Sequence, residues 1–341
     1  PLMDNDAAHH ANIALRMYLT GDYVHLVDKG EPYLDKPHLH FWLCAISFKI
    51  FGVNSFAYRL PSFLFTIGGV YSVYQLGKLL YDEATGKLAA LVIASSFGFA
   101  LSNSDVRMDA ILTSAIAFAT WQLLAYIQYR RLLYIAGAAF GLALGFSTKG
   151  MIGVFVPLLF LFFYIVCRKE PRLFILKGWL LLILLFVAFI SPILYCYYQQ
   201  FNLHPELVVR GQDHINGIRF ALLGQSTERF GGGMSADSRK DYLFFFYTFI
   251  WVFGPWSLIA YPAWIKIFFK RRIEWVTSCT ILVLALVIGF AGSKLPHYLN
   301  ISFPVAAILV ASHVLIYRDN IKWQRYFRFY RLASVIALVV L

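Results

Sequence analysis

Long apolar runs separated by short polar connectors dominate this sequence and limit the folds that it can adopt. A helix that crosses a membrane needs about 20 mostly apolar residues. Runs of this kind lie near residues 55–80, 86–101, 106–127, 132–147, 150–167, 178–198, 242–267, 275–291 and 298–317, and a last run begins near 332. The chain is 60% hydrophobic and 14% charged, whereas a soluble domain is roughly 45–50% apolar and about 25% charged. We therefore predict an all-α integral membrane protein with a multispan bundle of transmembrane helices.

The connectors alternate in charge along the chain. The basic set comprises Lys78 and Lys87, Arg130 and Arg131, and residues 168–177, 270–272 and 318–331. The other set comprises residues 1–54, 102–109, 149–150, 199–241 and 293–298. Because Lys and Arg are enriched in cytoplasmic loops, we predict that the second set faces the periplasm and that the protein is a multi-pass protein of the inner (plasma) membrane. The net charge of +12 then needs no nucleic-acid partner.

The chain divides into an outer segment and a helical bundle. Residues 1–54 are predicted to form a first periplasmic loop with two interfacial amphipathic helices, at 6–19 and 37–51. Residues 55–341 form the transmembrane bundle, with a long periplasmic loop at 199–241. The chain begins at Pro1 without an initiator Met and ends inside an apolar run, so we expect a fragment that is truncated at both ends.

The ionisable residues that deserve a functional hypothesis gather on the outer side. Asp35 and Lys36 in the first segment, and Lys149 in a later outer turn, are flanked closely by apolar helix, and a charge at membrane depth is costly unless it has a partner. Cations there could hold the phosphate of a lipid carrier, a carboxylate could act as a base, and an acidic pair could bind a divalent metal. These residues alone are compatible with many chemistries.

A series of motifs in a fixed order is more specific. The motifs are Asp6-Ala-Ala-His-His-Ala-Asn-Ile-Ala-Leu-Arg-Met17, Thr20-Gly-Asp-Tyr23, Pro32-Tyr-Leu-Asp-Lys-Pro37, Arg107-Met-Asp-Ala110, Thr148-Lys-Gly150, Gly254-Pro-Trp256 and Ser293-Lys-Leu-Pro-His-Tyr298. The series resembles the GT-C membrane glycosyltransferases, above all the branch that holds the protein O-mannosyltransferases and the aminoarabinose transferases of lipid A (ArnT-like). It covers nearly the whole chain, and the resemblance implies the GT-C fold.

The resemblance also implies an activity. Members of this family carry out an inverting transfer of a sugar from a polyprenyl (undecaprenyl) phosphate carrier. The partners expected for this chain are therefore that lipid-linked donor, membrane lipids, and an acceptor whose hydroxyl or phosphate belongs to a lipid, a protein or a glycan. The sequence leaves the sugar, the acceptor and the oligomeric state open.

The same resemblance suggests roles for individual residues. Asp6 and Asp109 are the expected catalytic residues: Asp6 matches the aspartate that takes a proton from the acceptor, and Asp109 matches a second acidic position, which supports the first loop. The residues expected at the carrier phosphate and its cavity are Lys36, Lys149, Arg229, Lys294 and Tyr298. Asp35 matches an acidic position near a divalent metal (Mg, Mn or Zn), although relatives usually have Glu there.

One part of the long outer loop departs from the family pattern. Relatives place Glu-His before an Ile-x-Arg-Phe sequence, and that His can bind metal. One alignment uses residues 213–220, which keeps His214 as the ligand but lengthens the loop. The other uses residues 225–230, which keeps the spacing to Gly254-Pro-Trp256 but has Ser226 in place of the His. We favour the second slightly, so the metal site and His214 remain open.

Two other functions compete with the enzyme. A transporter or flippase for a lipid-linked glycan would also line its path with intramembrane cations, and a scaffold of the same fold could lack catalysis. A transporter needs polar access from both faces, whereas here the distinctive residues lie on one face, and we see no internal repeat. The scaffold is disfavoured because Asp6, Asp35, Lys36 and Asp109 are all present. The glycosyltransferase is therefore the leading hypothesis.

Overall fold

The computed structural model describes residues 5–225, 227–228, 241–266, 272–292 and 294–340. Helices make up almost all of the regular structure in these ranges, which confirms the predicted all-α class. The strands found in them form one short antiparallel hairpin, in which β1 (Val27–Asp28) pairs with β2 (Glu31–Pro32).

The first outer segment contains the two predicted helices. Helix α1 spans Asn5–Thr20 and helix α2 spans Leu39–Phe51. Apolar residues on their facing sides, including Met17 and Phe41, form a small core of their own. This burial holds the segment together as a cap beside the bundle.

Two contacts dock this cap on the bundle. The hydroxyl of Tyr58 donates to the carbonyl oxygen of Ala7 at 2.8 Å, which fixes the first turn of α1. The amide of Gln200 bonds both backbone groups of Leu26, at 3.0 Å and 2.6 Å, as a neighbouring strand would do. The first segment is thus held at the start of α1 and beside the hairpin.

The bundle follows from residue 55 onwards. Its helices are α3 (Ser55–Leu80), α4 (Glu83–Ala94), α5 (Phe97–Ser104), α6 (Met108–Tyr129), α7 (Leu132–Lys149), α8 (Ile152–Arg168), α9 (Gly178–Tyr197), α10 (Gly217–Arg219), α11 (Phe244–Val252), α12 (Ser257–Lys266), α13 (Arg272–Gly289), α14 (Phe303–Tyr317) and α15 (Ile321–Val340). Short 3₁₀ helices at Pro171–Ile175 and Pro296–Ser302 and π-helical turns at Tyr198–Asn202 and Phe220–Gly224 connect or extend them. Helix α6 is the most deeply buried, with α3 and α7 packed along it.

Four helical segments of the described chain are long and apolar enough to cross a membrane. They are Met108–Tyr129, Leu132–Lys149, Gly178–Asn202 and Pro296–Tyr317. The bent pair α4–α5 makes a fifth if it is counted as one span. The remaining predicted spans are helices that are shorter, broken or less apolar, such as α8. Fewer of the described helices than the nine predicted spans are therefore long and apolar enough to cross a membrane unbroken.

Two predicted spans are interrupted. The span at 86–101 is two helices, α4 and α5, which meet at an angle of 54°. The span at 242–267 is likewise two helices, α11 and α12, because Pro255 has no N–H to continue the ladder. At the end of the chain, the predicted basic connector 318–331 is mostly helical and continues into the last apolar run as α15.

The Gly254-Pro-Trp256 motif has a structural role at the first of these breaks. The backbone N–H of Phe97 donates to the carbonyl oxygen of Gly254 at 2.9 Å, and the indole of Trp256 donates to Ser95 Oγ at 2.9 Å. The motif therefore satisfies backbone and side-chain groups where α4 ends and α5 begins.

The crossing of α7 and α8 positions the candidate site. The two helices touch at Gly145 and Gly153, where a Cβ on Gly153 would lie 2.3 Å from the carbonyl carbon of Gly145. No side chain fits between the backbones at this point. The close approach brings the end of α7, which carries Lys149, tightly against the start of α8.

Candidate active site

A buried ion pair joins helices α6 and α7 of the bundle. Lys149 Nζ donates to Asp109 Oδ1 at 2.8 Å. Lys149 is the last residue of α7 and Asp109 lies in the first turn of α6. The two residues are only 7% and 3% exposed. Burying both charges is costly unless each has its partner, so the pair depends on both members.

Gly150 explains why the lysine turns into this position. Its φ of +70° with ψ of −148° is a backbone conformation that only glycine adopts readily. Its N–H donates to the carbonyl oxygen of Phe146 at 2.7 Å and so closes α7. A Cβ at this position would lie 2.5 Å from Gln225 Oε1. The Lys-Gly sequence thus ends the helix and leaves the ammonium where the helix dipole favours a cation.

A chain of polar contacts continues from Asp109 across the outer turns. His297 Nε2 lies 3.9 Å from Asp109 Oδ2, and Arg107 Nη1 lies 2.8 Å from His297 Nδ1. Arg107 Nε donates in turn to Asp105 Oδ2 at 3.1 Å, and Asp105 is only 1% exposed. The sequence prediction assigned no site role to Arg107 or His297, although both stand inside the quoted motifs. Their position in those motifs was the signal that could have identified them.

The ion pair opens into a cavity of about 710 Å³. Asp109, Lys149, Gln225 and Tyr298 supply the polar part of its wall. Apolar side chains supply most of the rest, among them Phe155, Leu158 and Phe162 from α8, and Val287 and Ile288 from α13. Lys149 Nζ lies 5.5 Å from the centre of the Tyr298 ring. The structure therefore brings Asp109, Lys149 and Tyr298 together, at one end of a space suited to an apolar chain.

Gln225 adds an unused acceptor to this wall. It is buried, its Nε2 donates to Tyr197 Oη at 3.2 Å, and its Oε1 is among the buried atoms of the described residues without a hydrogen-bond partner. A buried acceptor without a partner is unfavourable. A hydroxyl group of a bound ligand would relieve this cost.

The first outer segment contributes charges to the same region. His10 of α1 is buried, and burial lowers its pKa well below 6.5; the charges of His40, Lys36, His9 and Lys149 lower it further, in that order. Lys36 and Lys149 thus act on one imidazole, and Lys36 also contributes to the field at Asp109. Asp6 lies one helical turn before His10, and its side chain is outside the described part of the structure.

The two predicted metal ligands, as placed, do not fit a metal site. Asp35 forms an ion pair with Arg210, which also bonds Glu228 at 2.9 Å. The side chain of His214 is 77% exposed and faces Asp213 at 3.5 Å. Within the described ranges, no group of three His, Cys, Asp or Glu side chains could hold a metal ion. The structure does not test whether the protein binds a divalent metal, nor which of the two alignments, at residues 213–220 or at 225–230, is correct.

Lys294, another predicted phosphate ligand, is not among the described residues that line the cavity. Lys294 Nζ donates to the carbonyl oxygen of Asp241 at 2.9 Å and lies 5.3 Å from the centre of the Tyr242 ring. The contacts given for Lys294 are thus with Asp241 and Tyr242. Arg229 lies outside the described residues, so its predicted role is not tested.

The chain is similar to known membrane glycosyltransferases. Residues 35–196 match a family model described as dolichyl-phosphate-mannose-protein mannosyltransferase. An undecaprenyl phosphate-alpha-4-amino-4-deoxy-L-arabinose arabinosyl transferase of Pseudomonas aeruginosa is 27% identical over 92% of this chain and 55% of its own length. A transferase of the same description from Pseudomonas fluorescens is 24% identical over 100% of this chain and 59% of its own length.

Solved structures show the same fold. ArnT from Cupriavidus metallidurans, in a crystal structure bound to undecaprenyl phosphate, superposes with a TM-score of 0.81 at 19% identity, over 99% of this chain and 60% of ArnT. The Archaeoglobus fulgidus oligosaccharyltransferase gives a TM-score of 0.62 at 14% identity, over 99% of this chain and 51% of that protein. The chain thus shares the fold of ArnT and is similar in sequence to the aminoarabinose transferases.

The region that matches the family model contains Lys36, Asp109 and Lys149, whereas Tyr298 follows it. The chain spans 55% and 59% of the lengths of the two arabinosyl transferases named above. The likeness therefore shows the fold, and the activity of the whole protein is a proposal.

Proposed function

We propose that this chain carries the donor site of a polyprenyl-phosphate-sugar-dependent glycosyltransferase. The enzyme would transfer a sugar from an undecaprenyl-type phosphate carrier to a hydroxyl or phosphate group of a lipid, protein or glycan. The observation that carries the proposal is the buried Lys149–Asp109 pair at one end of the apolar cavity of about 710 Å³. The names of the matched transferases support the same reaction.

The charges suit a phosphate that is bound and then released. Before the donor binds, Asp109 compensates the charge of Lys149. When the donor is present, the remaining N–H groups of the ammonium can donate to its phosphate oxygens. Gln225 Oε1 offers an acceptor for a sugar hydroxyl.

The apolar wall suits the lipid part of the same donor. The side chains from α8 and α13 would bury a prenyl chain, and burial of apolar surface contributes roughly 25 cal/mol per Å². A single ligand with a phosphate at one end and a hydrocarbon chain at the other would thus match both parts of the cavity.

We place the reaction at the periplasmic face of a bacterial inner membrane. The support for this is the alternation of the two sets of connectors along the chain. Asp109 and Lys149 belong to the set that was predicted to face the periplasm, opposite the basic set. A transporter or flippase would need the same cavity to open to the opposite face as well.

A pair of variants, each with one cysteine added to the parent protein, tests this orientation. Glu206→Cys lies in the outer loop and Asp319→Cys in the basic connector 318–331, and both native side chains are well exposed. We expect a membrane-impermeant maleimide to label position 206 in intact cells and position 319 only after permeabilisation. The parent protein, with its four native cysteines, is the control. Labelling in the opposite pattern would contradict a periplasmic site.

Lys36→Ala tests the donor directly. Because a charge-assisted hydrogen bond to phosphate contributes about 1.5–3 kcal/mol, loss of Lys36 should weaken the affinity for undecaprenyl phosphate by about tenfold or more. Binding can be measured in detergent by native mass spectrometry. The matched control is Lys87→Ala, since Lys87 is an exposed lysine paired with Glu83. Equal affinities in the two variants would remove Lys36 from the donor site.

A further inference from the structure

His297 lies between two charged side chains beside the proposed donor site. Its Nδ1 is 2.8 Å from Arg107 Nη1, and its Nε2 is 3.9 Å from Asp109 Oδ2. The next residue, Tyr298, faces the ammonium of Lys149. One turn of the 3₁₀ helix Pro296–Ser302 therefore contacts both members of the buried pair.

The contact with Arg107 determines where the imidazole carries its proton. A guanidinium group has only donors and stays protonated in proteins, so it cannot accept a hydrogen bond from His297. Nδ1 must then be the acceptor and carry no proton. A neutral imidazole has its hydrogen on the other nitrogen, which here is Nε2, the atom that faces Asp109. The ion pair with the buried Asp105 holds the guanidinium in the position that enforces this arrangement.

We propose that His297 is a positioning residue for the donor phosphate, held by Arg107 as the neutral tautomer whose Nε2–H stabilises Asp109. The proposal rests on the proposed function. Asp109 then faces one donor on each oxygen, Lys149 at Oδ1 and His297 at Oδ2. A doubly protonated imidazole would instead place a second full positive charge beside Asp109 and compete with Lys149 for it.

The neutral tautomer therefore keeps the carboxylate oriented toward Lys149, and thereby keeps the ammonium directed at the cavity. The separation of 3.9 Å between Nε2 and Oδ2 is longer than a hydrogen bond. Contacts of this kind are often long before the ligand binds and shorten in the complex. We therefore expect the stabilisation by His297 to be greatest when the phosphate is bound.

Two substitutions separate the nitrogen atoms of His297. In His297→Gln the side-chain amide reaches the position of Nε2 and can still donate to Asp109. In His297→Asn the amide lies near the position of Nδ1, so the contact with Arg107 can persist but the donor to Asp109 is lost. We expect the Gln variant to bind undecaprenyl phosphate within about threefold of the parent, and the Asn variant to bind about tenfold more weakly, which is the loss of one hydrogen bond to a charged group.

The comparison uses the full chain in detergent, with undecaprenyl phosphate as the probe and the apparent Tm as a check on folding. A merely structural histidine would give losses that follow the apparent Tm instead of the position of the amide. Parent-like binding by the Asn variant, equal losses in both variants, or the reverse order would overturn the proposal.

The tautomer itself can be observed without any donor. In protein labelled with ¹⁵N-histidine, the solid-state NMR signals that disappear in His297→Gln should be those of a neutral ring with its proton on Nε2. Signals of a ring protonated on Nδ1 or on both nitrogens would overturn the proposal. If instead the parent protein binds no undecaprenyl phosphate, the proposed function fails while the tautomer remains measurable, so the two failures are distinguishable.

Discussion

Asp6→Asn is expected to abolish sugar transfer while leaving the protein folded and able to bind undecaprenyl phosphate. A sugar or lipid hydroxyl is a weak nucleophile near neutral pH, and a positioned general base contributes typically 10²–10⁴-fold to such a reaction. Asp6 lies in the first turn of α1, where the helix dipole favours an ionised carboxylate. The hydrogen bond from Tyr58 to the neighbouring Ala7 fixes this turn against the bundle. The asparagine keeps the shape of the side chain and removes only the base.

The matched control for this variant is Asp4→Asn, two residues earlier and equally acidic. Transfer can be measured in cells by mass spectrometry of envelope glycolipids and glycoproteins, with the gene deleted and with each variant restored at equal expression. We expect the product to be missing with Asp6→Asn and present with Asp4→Asn. The reverse order would move the base to Asp4 and break the alignment on which the role of Asp6 depends.

The second large effect concerns the buried ion pair. Lys149→Met should leave an uncompensated carboxylate at Asp109, and Asp109→Asn an uncompensated ammonium at Lys149. Breaking a buried pair in this way costs about 3–5 kcal/mol of stability. Each single variant should therefore show a clear fall in the apparent Tm measured in detergent.

The double variant separates stability from function. With Lys149→Met and Asp109→Asn combined, no unpaired charge remains, so most of the lost stability should return. Binding of undecaprenyl phosphate should stay absent, because the cation is gone. Lys87→Met, at the exposed pair with Glu83, should hardly change the apparent Tm. A double variant that binds the lipid normally would show that the pair is only structural.

The sequence predicted the helical elements well, because long apolar runs in this chain can only be buried as helices. The two helices of the first segment and the central α6 and α7 appear close to their predicted positions. The breaks were harder to predict. The bend between α4 and α5 depends on contacts with Gly254 and Trp256, about 160 residues away in the chain. The hydrophobic pattern of residues 83–104 does not predict those contacts.

The candidate site, too, could be predicted from the sequence only in part. Lys149 was singled out because a lysine flanked by apolar helix needs a partner, and the structure supplies Asp109 from another helix. The partner of Asp35 could not be inferred, since Arg210 belongs to a distant loop that lacks a periodic pattern. Lys294 matched a family position, yet its partners Asp241 and Tyr242 lie across another loop. Motif order thus identified charged residues that the structure places in ion pairs, but not the partners that they contact.

A structure of the protein with undecaprenyl phosphate, determined by cryo-electron microscopy, tests the central claim most directly. The phosphate should lie within hydrogen-bond distance, about 3 Å, of Lys149 Nζ, beside Tyr298. The prenyl chain should extend between α8 and α13 along Phe155, Leu158 and Val287. A phosphate bound elsewhere, with the cavity empty and Lys149 still bonded to Asp109 alone, would contradict the account.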